Sequence, residues 1–198
     1  NYLHKNPEYE EFLKRLFTKN LPIGVEAATI NKVYGDEIVP VWEIQQGYPI
    51  DKVKLKKGTW FSLSQKENGN RGTFFNGDLI SRQGQKFQGL DHIKNDLLTL
   101  YDGDTELVNT RFFDGELIYK NPEGWPDGQA FRYGTGLLNS DNKDKTGIKF
   151  VIFDTDFARD FVQDKCITPY MVRREYLNEL RKKIKEKHLK NIEIVPMI

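Results

Sequence analysis

The spacing of apolar positions changes several times along the chain, and each change marks an element. Tyr9, Phe12, Leu13, Leu16 and Phe17 recur at three- and four-residue intervals after Asn6-Pro7, a capping side chain followed by proline at the first helical position. They predict an amphipathic helix ending near Asn20-Leu21-Pro22, and a short helix is expected over residues 27–33, before Gly35. Trp60, Phe61 and Leu63 then form a strand-like run, and two more such runs follow at 72–75 and 78–81, joined by Asn76-Gly77. Asn-Gly between β-prone runs predicts a two-residue hairpin turn with positive φ at both positions. Leu90, Ile93, Leu97, Leu98 and Tyr101 return to helical spacing, closed by Asp102-Gly103. Residues 107–119 read as strand, 121–128 as a Pro/Gly loop, Gly134-Thr135-Gly136 as a turn and 140–147 as a polar surface loop. Residues 148–154 predict a buried strand ending in Phe153-Asp154. Thr168-Pro169 opens a long helix to about Lys187, with Val172, Tyr176, Leu177, Leu180 and Ile184 inward, and 192–195 is a final strand.

Composition narrows the class. A chain of 198 residues can bury a real core, and one domain is the expectation at that length. Aromatic content of 13% and charged content of 30% exclude a disordered chain. Net charge is only +1, so affinity for nucleic acid must come from local clusters. Four lysines in residues 52–58 read as a solvated turn before a strand. Between Arg173 and Lys190, eight Lys/Arg face three Glu, a surplus that fits either a grip on a DNA backbone or a solvated helix face. The single cysteine, Cys166, excludes an internal disulfide and fits a reducing, cytoplasmic compartment. No apolar run approaches the roughly 20 residues that span a bilayer, so no membrane partner is expected. The three histidines are scattered, and no zinc site is visible.

The candidate chemistry lies in residues 62–84, SLSQKENGNRGTFFNGDLISRQG. Lys66 falls in the loop before a strand that carries Arg71. In isolation it is a solvated lysine in a polar turn; held over a sheet, partly desolvated and near other cations, it becomes a nucleophile. Lys66–Arg71 resembles the Lys-x-Asp-Gly-x-Arg motif of ATP-dependent DNA ligases, RNA ligases and mRNA-capping guanylyltransferases. Ser81-Arg82-Gln83-Gly84, Phe113-Asp114-Gly115-Glu116-Leu117 and Val151-Ile152-Phe153-Asp154 resemble three further blocks of that superfamily, in its order. Thr29-Ile30-Asn31-Lys32-Val33 resembles the lead-in of phage-type DNA ligases.

The resemblance implies an α+β, ATP-grasp-like nucleotidyltransferase (adenylation) domain over 1–198, with antiparallel sheets flanked by helices and nucleotide between the sheets. It implies attack of Lys66 on the α-phosphorus of ATP to give a lysyl–AMP phosphoramidate, with Mg²⁺ offsetting triphosphate charge. An ammonium cannot attack, so that step requires a lowered lysine pKa. Ser64 or Gln65 would lie near the adenine edge, Arg71 and Arg82 would hold phosphate or ribose oxygens, and Phe153 would stack on adenine. Glu116 would meet the ribose or the metal, and Asp154 the metal or the lysine. The partner implied is nicked duplex DNA, the protein acting as a monomer. Two departures stand out: Asn68 occupies the usual aspartate position, and position 64 lacks a frequent glutamate. The family's later Glu-Gly and Lys-x-Lys blocks and its oligonucleotide-binding barrel are not found, so the domain is expected to be incomplete at its C-terminal end. An RNA ligase or capping-type enzyme, and a non-catalytic nucleic-acid-binding remnant, are the alternatives.

Overall fold

The computed structural model describes residues 7–17, 27–35, 49–58, 61–82, 84–163 and 166–197. It divides into two compact units, residues 1–43 with 83–85 and residues 44–82 with 86–198. The first unit carries α1 (Glu10–Phe17), led by a 3₁₀ turn at Pro7–Tyr9, and α2 (Ala27–Tyr34). Both agree with the helices expected from spacing as far as they are described, the expected end of the first near Asn20-Leu21-Pro22 lying outside the described residues, and Gly35 closes α2 at φ 76°.

The second unit is built on one five-stranded sheet in the order β2-β1-β3-β4-β5. Its strands are β1 (Asn70–Phe75), β2 (Asp78–Ser81), β3 (Arg111–Tyr119), β4 (Ile148–Phe157) and β5 (Ile192–Ile194). The Asn76-Gly77 hairpin forms as predicted, with φ 53° and 81° at the turn. β1, β3 and β4 pair antiparallel, whereas β5 joins β4 in parallel, so the sheet is mixed and not wholly antiparallel. Helices α3 (Asp91–Leu100), α4 (Thr105–Asn109), α5 (Asp127–Leu138), α6 (Ala158–Val162) and α7 (Tyr170–Glu186) complete the α+β fold.

Strand alternation assigns the two faces of the sheet. Phe74, Phe113, Leu117, Phe150, Ile152 and Ile194 face a core shared with Ile93 and Leu97 of α3 and Leu177 and Leu180 of α7. Each such fully buried side chain contributes about 1.5–3 kcal/mol relative to exposure. The opposite face holds Arg71, Thr73, Asp114 and Glu116; the first three bond to one another, and one Glu116 oxygen is buried without a partner among the described residues.

Several expectations fail for local reasons. Of the expected strand Trp60, Phe61 and Leu63, Trp60 lies outside the described residues, and Phe61 and Leu63 are in no strand; Ser64 next to them forms a bridge to Met197. Residues 107–109 end helix α4, because the Asp104 side chain accepts the Leu107 amide and caps it. Gly134 and Gly136 lie inside α5, where Gly134 packs on Tyr119. Val172 is half-exposed: it precedes Leu177 by five residues, which turns it away from the buried stripe Arg174, Leu177, Leu180 and Ile184.

Candidate active site

The polar face of β1, β3 and β4 gathers most of the chemistry. Arg71 lies opposite Glu116, and Thr73 opposite Asp114, in the β1–β3 register, so their side chains share one face. Arg71 makes a two-point contact with Asp114, its Nε donating to Oδ1 at 3.0 Å, and the Thr73 hydroxyl donates to the same oxygen at 3.3 Å. Burial nevertheless pushes the Asp114 carboxyl up, against the pull of Arg71. Glu116 is also raised, first by burial, while Arg71 and then Lys66 pull it down. Its Oε2 is buried with no hydrogen-bond partner among the described residues.

A bulge completes the face. Asp114 pairs with Asp154 and Gly115 with Ile152, which leaves Phe153 as an extra residue on β4. A bulge redirects the side chain it carries, and Phe153 lies under Arg71, whose guanidinium is 5.1 Å from the ring centre. The bulge is clamped from α7: Arg173 donates to both Asp154 oxygens at 2.8 and 2.9 Å, and Arg174 reaches the Phe153 carbonyl at 3.4 Å. Gly115 is a close-approach residue, not the turn that Asp-Gly suggests, since a Cβ there would lie 2.4 Å from the Val151 carbonyl oxygen.

The lysine loop is laid across this sheet. Ser64 bridges to Met197, just past β5, and Gly69 abuts β3, where a Cβ would come within 2.7 Å of the Leu117 carbonyl oxygen. Gly69 therefore serves close contact with the protein's own strand. A cavity of about 150 Å³ opens between this loop, the end of β3 and α5, with Lys66, Glu67, Ile118, Asn121 and Phe131 among its walls.

Lys66, Ser64 and Gln65 are exposed, so the partial desolvation expected of the amine is not supplied by the described residues. Lys66 still lies near enough to bias Glu116. Arg82 is exposed just past β2, the strand at the far edge of the sheet from β4 and Phe153, and the structure does not bring it to the cluster. Arg71, Glu116, Phe153 and Asp154 do converge. For a metal, Glu116 offers an unpartnered but buried oxygen, and both Asp154 oxygens are held by Arg173. Among the described residues, no three His, Cys, Asp or Glu side chains come together to hold an ion.

Sequence reading assigned no part to Asp114 as the partner of Arg71, and counted Arg173, Arg174 and Arg181 in the basic surface of α7. Arg174 is instead 1% exposed, and Arg181 donates to the Val195 carbonyl at 2.6 Å. The signal existed for Arg174: it sits in the apolar stripe, three residues before Leu177. A charged residue in such a stripe is paired inward. Among the described residues no helix is long and apolar enough to cross a membrane.

This mixed sheet flanked by helices is shared in fold with solved structures. The chain has a ligase-like fold. Two solved structures, titled "Pmar-Lig_Pre." and "Pmar-Lig_PreS3", superpose with TM-scores of 0.62 and 0.61 at 19% and 20% identity. Each match covers 96% of this chain, and 43% and 44% of the respective matched chain. The ATP-dependent DNA ligase from bacteriophage T7, in complex with ATP, aligns at a TM-score of 0.47 and 17% identity, over 68% of this chain and 47% of its own. This chain thus spans less than half the length of each of these three. No protein-family model matches the sequence, and no curated protein matches it significantly.

Proposed function

We propose that this chain is the nucleotide-transferring part of an ATP-dependent polynucleotide ligase that seals nicks in duplex DNA, with Lys66 as the nucleophile. The observation that carries the reading is the convergence on Glu116: Arg71 lies beside it, Lys66 acts on its proton affinity, and Phe153 lies beneath Arg71. In the first step the Lys66 nitrogen bonds to the α-phosphorus of ATP, the bond to pyrophosphate breaks, and the amine proton passes to solvent. AMP then moves to a 5′-phosphate, and attack by a 3′-hydroxyl forms the phosphodiester and releases AMP.

Arg71, oriented by Asp114, presents its guanidinium to phosphate or ribose oxygens. Phe153 offers a stacking face to the base. The free Glu116 oxygen accepts from a ribose hydroxyl or from a metal-bound water. Mg²⁺ would supply charge compensation on the triphosphate, and it keeps several waters, so a single contact at Glu116 suffices while Asp154 stays bound to Arg173. Since Lys66 is exposed, the nucleotide itself must supply the desolvation of its amine.

The exposure of Lys66 and the asparagine at 68 favour a second reading, a domain that binds polynucleotide without joining it. Incubation with α-labelled ATP and Mg²⁺ separates the two. The expected result is an acid-labile label on the protein that is absent from Lys66→Ala. No label on the parent, or a label that persists in Lys66→Ala, overturns the enzyme reading. Replacing ATP by GTP, and nicked DNA by nicked RNA, tests the capping-type and RNA-ligase alternatives.

A further inference from the structure

A groove of about 630 Å³ lies along β5 and α7, lined by side chains different from those of the Arg71–Glu116 cluster. Five cations line it: Lys120 after β3, Lys149 on β4, Arg181 and Lys185 on α7, and Lys190 before β5. Glu193 is the single carboxylate in its lining, and it pairs with Lys149 at 2.6 Å. Two of the other charges are fixed in place without being neutralised. The Lys120 ammonium donates to the Thr146 carbonyl at 2.8 Å and the Asn191 side chain at 2.7 Å. The Arg181 guanidinium is held by the Val195 carbonyl. Lys185 and Lys190 are exposed and make no ion pair among the described residues.

Neutral acceptors position a cation but leave its field intact, so the groove is a preorganised anion site on a chain whose net charge is only +1. In its floor Ile184, Ile192 and Ile194 are almost wholly buried while Leu189 and Pro196 stay partly open, so it offers a partner a track of charge beside a small apolar surface. The geometry points to this groove as a track for the phosphodiester backbone of duplex DNA, separate from the site where the nucleotide reacts. The choice of DNA rests on the ligase reading; the choice of a polyanion does not. A backbone seated here releases counterions with each phosphate contacted, giving salt-sensitive affinity that needs no base contact.

The test is fluorescence anisotropy of a labelled nicked duplex, titrated with the chain at several salt concentrations. Lys185→Ala/Lys190→Ala removes two exposed groove charges; Lys182→Ala/Lys183→Ala removes two exposed charges from the same helix outside the groove. The expected result is that the groove variant binds roughly tenfold more weakly and loses about 1.8 from the slope of log K against log salt, the loss for two phosphate contacts. The off-groove variant stays near the parent. Equal losses in both variants would reduce the effect to bulk charge and overturn the proposal, as would unchanged binding in the groove variant. Displacement of the DNA by polyglutamate at equal charge would overturn it in favour of an acidic protein partner. Lys66-dependent labelling by ATP, run alongside, is expected to match the parent in both variants. If labelling fails in the parent while the groove result holds, the ligase reading falls and the polyanion track stands.

Discussion

Two cationic regions of one sheet unit are built on opposite principles. On the polar face, Arg71 and Arg173 are each bonded to a carboxylate, Asp114 and Asp154, with little exposure of either pair. Along β5 and α7, Lys120 and Arg181 are held by uncharged oxygens, and one glutamate answers five cations. Paired, half-dry charge gives fixed geometry and acts over a few ångströms. Unpaired charge on a surface acts at longer range and yields to salt. The first suits chemistry at a phosphorus atom and the second suits holding a long anion.

The sharpest way to break this comparison is to unpair the polar face. Arg71→Met leaves Asp114 buried beside Asp154 without its counter-charge, and loss of one partner from a buried pair costs about 3–5 kcal/mol. A thermal melt should show a fall of many degrees, and ATP labelling should drop to background. Restoring hydrophobic packing with Arg71→Met/Asp114→Leu should recover much of the melting temperature but none of the labelling. Recovery of both would mean that the pair serves folding only.

The contrast also explains what could be read without coordinates. The Asn76-Gly77 hairpin, α3 and β4 were legible because period and turn chemistry are local properties. The lysine loop with Arg71, Glu116 and Phe153 was legible as a set of blocks, since each block sits on one strand or loop. What stayed hidden was pairing across elements. That Asp114 is bound to Arg71, and Asp154 to Arg173 some nineteen residues on, depends on register and on the bulge at Phe153, which no single segment specifies. The same blindness placed Arg173, Arg174 and Arg181 among the surface charges, although each turns inward to β4 or to the chain after β5. The solvent exposure of Lys66 was equally invisible, because it depends on where the loop meets the end of β3 and α5.

A smaller effect sharpens the role of the bulge. Phe153→Ala removes a half-buried ring that faces Arg71 on one side. Stacking on a base is worth about 1–3 kcal/mol, so the ATP concentration for half-maximal labelling should rise about tenfold or more. Phe153→Tyr keeps the ring and should hold near the parent value. A large fall in melting temperature with an unchanged ATP requirement would make Phe153 a packing residue. By contrast, the Lys185→Ala/Lys190→Ala groove variant should shift stability by less than about 0.5 kcal/mol, the usual range for exposed substitutions.

The smallest effect is a slope, and Glu116 supplies it. Burial raises its folded-state pKa above the ordinary value of 4.5, with Arg71 and Lys66 only partly opposing. Over the interval between the unfolded and folded values, the folded chain binds the proton that the unfolded chain has lost. The stability linked to this group is therefore complete below about pH 4.5 and declines as pH rises through the folded value. Glu116→Gln cannot ionise and removes that decline. Melting temperatures from pH 4 to 8 should show the glutamine variant gaining on the parent across the lower part of the range and then running parallel to it. Asp114, raised for the same reason, keeps a residual slope in both proteins. Bound ATP should shrink the difference if a ribose hydroxyl or a metal-bound water satisfies the open Glu116 oxygen, because a hydrogen bond to the ionised carboxylate lowers its pKa. A difference untouched by ATP would detach Glu116 from the nucleotide and leave it a buried carboxylate whose cost the fold carries for another reason.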